Sequence, residues 1–152
     1  MRKLNSLLAA FALAAGASAV SAAPAQAATP TCTSWTTYYA TGTTDFVVHV
    51  PSAGYQTGTV NCLLQQGNYG DAVTTLQRGL RYCRGYDISV DRDFGPQTRA
   101  AVLDTQRWAN DAFGAGISED GGYGPQTKNW IQFPVWTWPA NTMTNKCQHS
   151  PV

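Results

Sequence analysis

The side chains best suited to polar chemistry fall into two short stretches. Asp91 and Asp93 precede Gln97 and Arg99, and Asp120 and Tyr123 precede Gln126 and Lys128. Carboxylates, amides and cations beside a helix start suit a ligand rich in amide, hydroxyl and carboxylate groups, because the first turn of a helix presents unpaired N–H groups. Trp108, Tyr123 and Trp130 add aromatic faces on which a sugar ring can stack. A purely structural role competes at each position. An Asp in a turn commonly bonds its own backbone, and Phe94 and Tyr123 suit a core. Catalytic groupings are scarce. The two histidines, His49 and His149, are isolated, and no CxxC or HxxxH spacing occurs, so neither a metal nor a cofactor is expected. Glu119 is the single glutamate, and Ser34, Ser52, Ser89 and Ser118 lack the context of an activated nucleophile. Asp91 and Asp93 are a carboxylate pair of the kind glycoside cleavage needs, but no deep cleft is expected around them. The chain reads as a binding protein, not an enzyme.

The elements that must position these residues are written as a repeat. Asp91-Arg92-Asp93-Phe94-Gly95-Pro96-Gln97-Thr98 is echoed by Asp120-Gly121-Gly122-Tyr123-Gly124-Pro125-Gln126-Thr127, with every shared residue displaced by the same interval. The shared core, aromatic-Gly-Pro-Gln-Thr, predicts a tight turn feeding a helix, since Pro is at home in the first helical position and its missing N–H costs nothing there. Two equivalent loop–helix units follow. The first helix runs from Pro96 to about Asp111, with Ala101, Val102, Thr105 and Trp108 along one stripe. The second runs from Pro125 to about Phe133. Upstream, Val73, Leu76, Leu80 and Cys83 recur at helical steps over Asp71 to Cys83, and Gly85 ends that helix. Before it, Phe46 to Val50 and Thr57 to Leu64 predict two short strands around the turn Pro51-Ser52-Ala53-Gly54. Residues 28–44 read as an irregular, Thr-rich arm, and the segment after Pro134 as an irregular tail.

The N-terminal segment, 1–27, stands apart. Arg2 and Lys3, the apolar run Leu7 to Val20 and the small-x-small site Ala25-Gln26-Ala27 read as a secretory signal peptide, leaving about 125 residues in the mature protein. No other stretch is long and apolar enough to span a membrane. Loss of Arg2 and Lys3 leaves eight basic against nine acidic residues. That balance argues against nucleic acid as a partner, which needs a basic field. Four cysteines in a secreted chain predict two disulfides. Three pairings are open. Cys62–Cys83, which flank one helix, and Cys32–Cys147, which would tie the two ends, are favoured.

The run Val73-x-x-Leu76-Gln77-x-x-Leu80, then Asp91-x-x-Phe94-Gly95-Pro96-x-Thr98-x-x-Ala101-Val102-x-x-x-Gln106, then Asp120-Gly121-x-Tyr123-Gly124-Pro125-x-Thr127 resembles the peptidoglycan-binding domain 1 family. The match covers about residues 62–133. Three departures stand out: Arg92 where the family has Gly, Thr105 where it has an aromatic, and a longer link from Asp111 to Glu119. The resemblance implies a mainly α fold, a three-helix module. The organisation expected is a signal peptide (1–27), an N-terminal extension with short strands (28–61), the three-helix domain (62–133) and a C-terminal tail (134–152). It also implies peptidoglycan as ligand, with Asp91, Asp93, Gln97, Arg99, Trp108, Asp120, Tyr123, Gln126 and Lys128 as the candidate contacts. The expectation is a secreted, monomeric, non-catalytic module associated with the cell wall. The alternatives are a secreted protein that binds a protein partner or acts as an inhibitor on the same fold, and a small wall hydrolase.

Overall fold

The computed structural model describes residues 28–152, so the expected signal peptide lies outside the described residues. Two helices form where the periodicity places them. α1 spans Asp71–Arg78 and continues as a π-helical turn, Gly79–Cys83. α2 spans Pro96–Phe113, with Pro at its start and the left-handed Gly114 closing its end by donating to Ala109 and Asn110 carbonyls. The third helix is much shorter than expected: α3 is the single turn Pro125–Lys128. The residues expected to continue it are claimed by a strand that begins at Gln132.

The rest of the chain overturns the expected mainly α class. Helix and strand are nearly balanced, at 29% and 26%, and the strands form one four-stranded antiparallel sheet. β1 (Ser34–Tyr39), β2 (Phe46–Ser52), β3 (Gln132–Thr137) and β4 (Met143–His149) lie in that order across it. The Thr-rich arm is thus a strand, and so is part of the tail. The hairpin expected around Pro51–Gly54 is replaced by a hairpin of β1 with β2, in which Trp35 faces Pro51 and Tyr39 faces Val47. The run Thr57 to Leu64 supplies only isolated bridges, Leu63 to Thr31 and Leu64 to Tyr123. β-branched and aromatic residues suit β1 and β2, but their partner β3 arrives from the far end of the chain, so no local pattern marks the sheet.

Residues opposite each other in an antiparallel ladder share a face. Val48, Val50 and Val135, with the less buried Tyr38 and Phe46, face the helices and join Leu76, Leu80, Phe94, Val102, Tyr123, Ile131 and Phe133 in one core. Gly79 permits the close approach of β3: a Cβ there would sit 2.7 Å from the Gln132 carbonyl oxygen and 3.2 Å from Ile131 and Phe133 side-chain atoms. The other face of the sheet carries Trp35, Thr37, Tyr39, Val47, His49 and Trp136.

The disulfides also differ from the favoured pairing. They are Cys32–Cys62 and Cys83–Cys147, not Cys62–Cys83 and Cys32–Cys147. Residues 30–32 pair beside residue 63, with the Cys32 N–H on the Leu63 carbonyl at 2.9 Å, and this brings Cys32 to Cys62 with Cα atoms 5.1 Å apart. Cys83 ends the π turn against β4, 5.7 Å from Cys147 between Cα atoms. Sequence proximity was the wrong guide, because the sheet reorders the neighbours.

On the outer face, the His49 ring stacks between Trp35 and Trp136, with centroids 5.8 and 5.2 Å away. Burial, and then the positive charge of Arg78, lower the His49 pKa to about 4. The folded protein therefore holds this imidazole neutral where the unfolded chain would protonate it. Its contribution is complete above the unfolded value of 6.5 and is lost as the pH falls towards about 4. Thermal melts across that window should show a falling midpoint in the wild-type chain and a flatter profile in His49→Gln; equal slopes would contradict this role.

Candidate functional site

Two buried glutamines build the two repeat loops. Gln77 projects from α1 and Gln106 from α2, with 0% and 1% exposure. The Gln77 amide nitrogen donates to Asp91 Oδ1 (2.8 Å), the Asp93 carbonyl (2.9 Å) and Thr98 Oγ1 (3.1 Å), while its oxygen accepts from the N–H groups of Asp91 and Arg92, both at 3.1 Å. The Gln106 nitrogen donates to Asp120 Oδ1 (3.0 Å), the Gly122 carbonyl (2.9 Å) and Thr127 Oγ1 (3.0 Å), and its oxygen accepts from the Gly121 N–H at 2.8 Å. The Asp carboxylate in each loop also accepts from a loop N–H, that of Asp93 at 3.0 Å and that of Gly122 at 2.8 Å. Asp91 is held below the usual carboxylate range by the Gln77 amide and then by the Asp93 N–H.

A single strand of chain stitches the loops together. Leu64 and Tyr123 exchange both main-chain hydrogen bonds at 2.8 Å, and further on Phe94 donates to the Asn68 carbonyl at 2.9 Å. Where this segment leaves Tyr123, a groove of about 300 Å³ opens, lined by Leu63, Gln65, Ser118, Asp120, Tyr123 and Gln126 among others. A polar hollow of about 260 Å³ adjoins it, sharing Gln65, Asp120 and Gly122 and adding Gln66, Arg99 and Gly121. Arg99 is anchored there by donating to the Asp120 carbonyl at 3.2 Å. Among the described residues, the side-chain heads of Gln65, Ser118 and Gln126 make no hydrogen bond to the protein, and Asp120 keeps its second carboxylate oxygen free. The groove thus offers amide donors and acceptors, a hydroxyl and a carboxylate oxygen.

The nine sequence candidates divide accordingly. Asp120, Tyr123 and Gln126 line the groove and Arg99 lines the adjoining hollow. The other five stand elsewhere. Asp91 and Asp93 belong to the first loop. Gln97 lines an open depression with Tyr86, Asp104 and Arg107. Trp108 lies in an aromatic cluster with Phe113 and Trp130, under the Arg84 guanidinium at 3.8 Å. Lys128 is 5% exposed and donates to the main-chain oxygen of Val152 at 2.6 Å; burial lowers its pKa. Tyr123 is 1% exposed, and burial raises its pKa, so it forms the floor of the groove and not a reaching arm. Gln65, Ser118 and the two organising glutamines were not among the candidates. Gln77 and Gln106 carried a signal: they are separated by the same interval as the two loops.

Residues 69–131 match the family model described as "Putative peptidoglycan binding domain". The matched segment holds both loops and both glutamines. Among solved structures, the chain is similar to a peptidoglycan-binding protein from Clostridioides difficile, whose crystal structure at 2.05 Å holds glutamine hydroxamate. The identity is 29% over 61% of this chain and 53% of that one, with a TM-score of 0.42, so the alignment spans about half the length of that protein. No curated protein matches the chain significantly.

The network separates structural from dispensable polar groups. Gln106→Ala should cost about 3 kcal/mol or more in denaturant unfolding, because it strands the buried partners of one amide. Tyr123→Phe should be neutral or stabilising by about 1 kcal/mol. Its hydroxyl is buried with no partner among the described residues, and the first loop carries Phe94 in the same place. A loss above about 1 kcal/mol in Tyr123→Phe would mean that the hydroxyl is satisfied, for instance by a buried water.

Proposed function

We propose that this protein is a secreted, non-catalytic binder of peptidoglycan that grips the polymer in the groove beside the second repeat loop. The observation that carries the reading is the set of unengaged polar heads of Gln65, Ser118, Asp120 and Gln126, gathered on one groove within and beside the family segment. Peptidoglycan supplies the complement: stem-peptide amides, sugar hydroxyls and carboxylates, the last within reach of Arg99. A non-catalytic role is supported by what lines the groove. Glycoside cleavage uses two carboxylates, and here Asp120 is alone; acyl transfer needs a base beside the nucleophile, and no histidine lines the groove with Ser118. Among the described residues no group of three or more His, Cys, Asp or Glu side chains could hold a metal, and all four cysteines are paired. Export is supported by the two disulfides, which persist in an oxidising compartment, and by the leader-like start of the chain.

Co-sedimentation with purified insoluble peptidoglycan tests the reading at moderate salt. The wild-type chain should be retained. Gln126→Ala and Ser118→Ala should each weaken retention by about 1 kcal/mol, roughly fivefold, while Gln97→Ala, outside the groove, should leave it unchanged. Release of dye from labelled walls should stay at background. Failure of the wild-type chain to sediment with walls would sink the proposal.

A further inference from the structure

The face of the sheet turned away from the core is aromatic where a solvated sheet face is ordinarily polar. Among the described residues, two of its large rings have no stacking partner. Tyr39, at the end of β1, is 55% exposed, and Trp138, just after β3, is 51% exposed. They are brought together by pairing: Tyr39 sits opposite Val47 on β2, and the Trp138 N–H extends the β2–β3 ladder by donating to the Asp45 carbonyl at 2.7 Å. Between them lies a cleft of about 130 Å³, lined by Tyr39, Trp138, Val47 and Thr37. Val47 is 1% exposed and makes an apolar floor. The Thr37 hydroxyl accepts from the Gln56 amide at 2.8 Å and is held in place by it. No charged side chain lines the cleft.

We infer that this cleft is a saccharide site, separate from the groove, which takes one ring of an uncharged glycan between Tyr39 and Trp138. Aromatic walls, an apolar floor, a positioned hydroxyl and the absence of charge match a sugar ring, which presents C–H faces to aromatics and hydroxyls at its rim. An anionic or cationic ligand would lose its hydration there with nothing to compensate it. The volume suits a single small ring and not a protein side chain with its backbone. From the cleft the same face continues through Trp136, His49 and Trp35 to Tyr55, a stacked row with Tyr55 edge-on at 5.3 Å from Trp35. The faces of that row are taken up by one another and by the Arg78 guanidinium over Trp136 at 5.2 Å, so the site is confined to the cleft. The inference rests on the wall-binding reading only for the source of such a glycan. All the residues involved lie outside the family segment, 69–131, with Trp136 and Trp138 just beyond its end.

The test uses the mature chain and a neutral tetramer of β-1,4-linked N-acetylglucosamine as probe, followed by the indole N–H signals of the tryptophans in NMR. The expected result is a saturable shift of the Trp138 signal at millimolar tetramer, with affinity reduced at least about tenfold in Tyr39→Ala and Trp138→Ala. Trp138→Tyr, which keeps an aromatic wall, should retain binding, and thermal melts of all variants should match the wild type. No saturable shift, or equal affinity in the two alanine variants, would overturn the proposal, as would a shift centred on Trp108 and Trp130. Gln126→Ala separates the two sites: tetramer binding should survive in it while wall retention falls. Wall retention without tetramer binding defeats this site alone, and tetramer binding without any effect of Gln126→Ala on retention defeats the groove alone.

Discussion

Two primary amides hold this protein's two repeat loops in shape. Gln77 and Gln106 are each sealed inside the protein, and each satisfies a carboxylate, a carbonyl, a threonine hydroxyl and at least one N–H of the loop that follows. A buried amide with both ends engaged is favourable, and the same amide with its partners removed is costly, so each network is close to all-or-none. This explains the repeat at the level of atoms. The Asp supplies an acceptor for the amide and for its own turn. The Thr supplies a second acceptor at the first helical turn. The Gly-Pro pair starts the helix, and the aromatic before it seals the core. All these positions, and the glutamines themselves, recur at one fixed interval because one three-dimensional device is built twice.

The two copies are not equivalent in what they leave open. In the first, Arg92 adopts a left-handed conformation at φ 73°, where the second copy has Gly121 at φ 72°. A side chain in that region carries a backbone cost. Here the arginine reaches Asp71 at 3.0 Å and lies over the Tyr69 ring at 5.4 Å. Gly121 has no side chain to make such contacts. A Cβ added there would meet Arg99 Cγ at 2.7 Å, and the glycine leaves the Arg99 side chain to border the hollow next to Gln65 and Asp120. Both the groove and the hollow border the second loop, where glycine stands in place of the arginine.

Local signals in the chain were legible, and long-range ones were not. The start of α2 at Pro96 is written in the residues around it, and α1 shows in the spacing of Val73, Leu76 and Leu80. The sheet is not written this way. Val48 pairs with Val135 across most of the chain, and neither stretch names its partner. The same cause shortened α3, since Phe133 and Val135 are taken by the sheet, and reordered the disulfides, since Cys147 rides on β4 to meet Cys83. Among the residues lining the groove, Asp120 and Gln126 were legible because the repeat pointed at them. Gln65 was not, because it enters the groove on a connecting segment whose position depends on the Leu64–Tyr123 pairing. Asp91 looked as good as Asp120, and of the two it is Asp120 that lines the groove.

The most direct measurement is the mapping of backbone amide shifts in an isotopically labelled mature chain titrated with soluble muropeptides, which carry both sugar and stem peptide. The account predicts a continuous patch of shifted amides at Gln65, Gln66, Ser118 and the stretch from Asp120 to Gln126, with Asp91 to Gln97 unmoved. A patch centred on Asp91 to Gln97, or saturating concentrations with no shift in the groove, would contradict it.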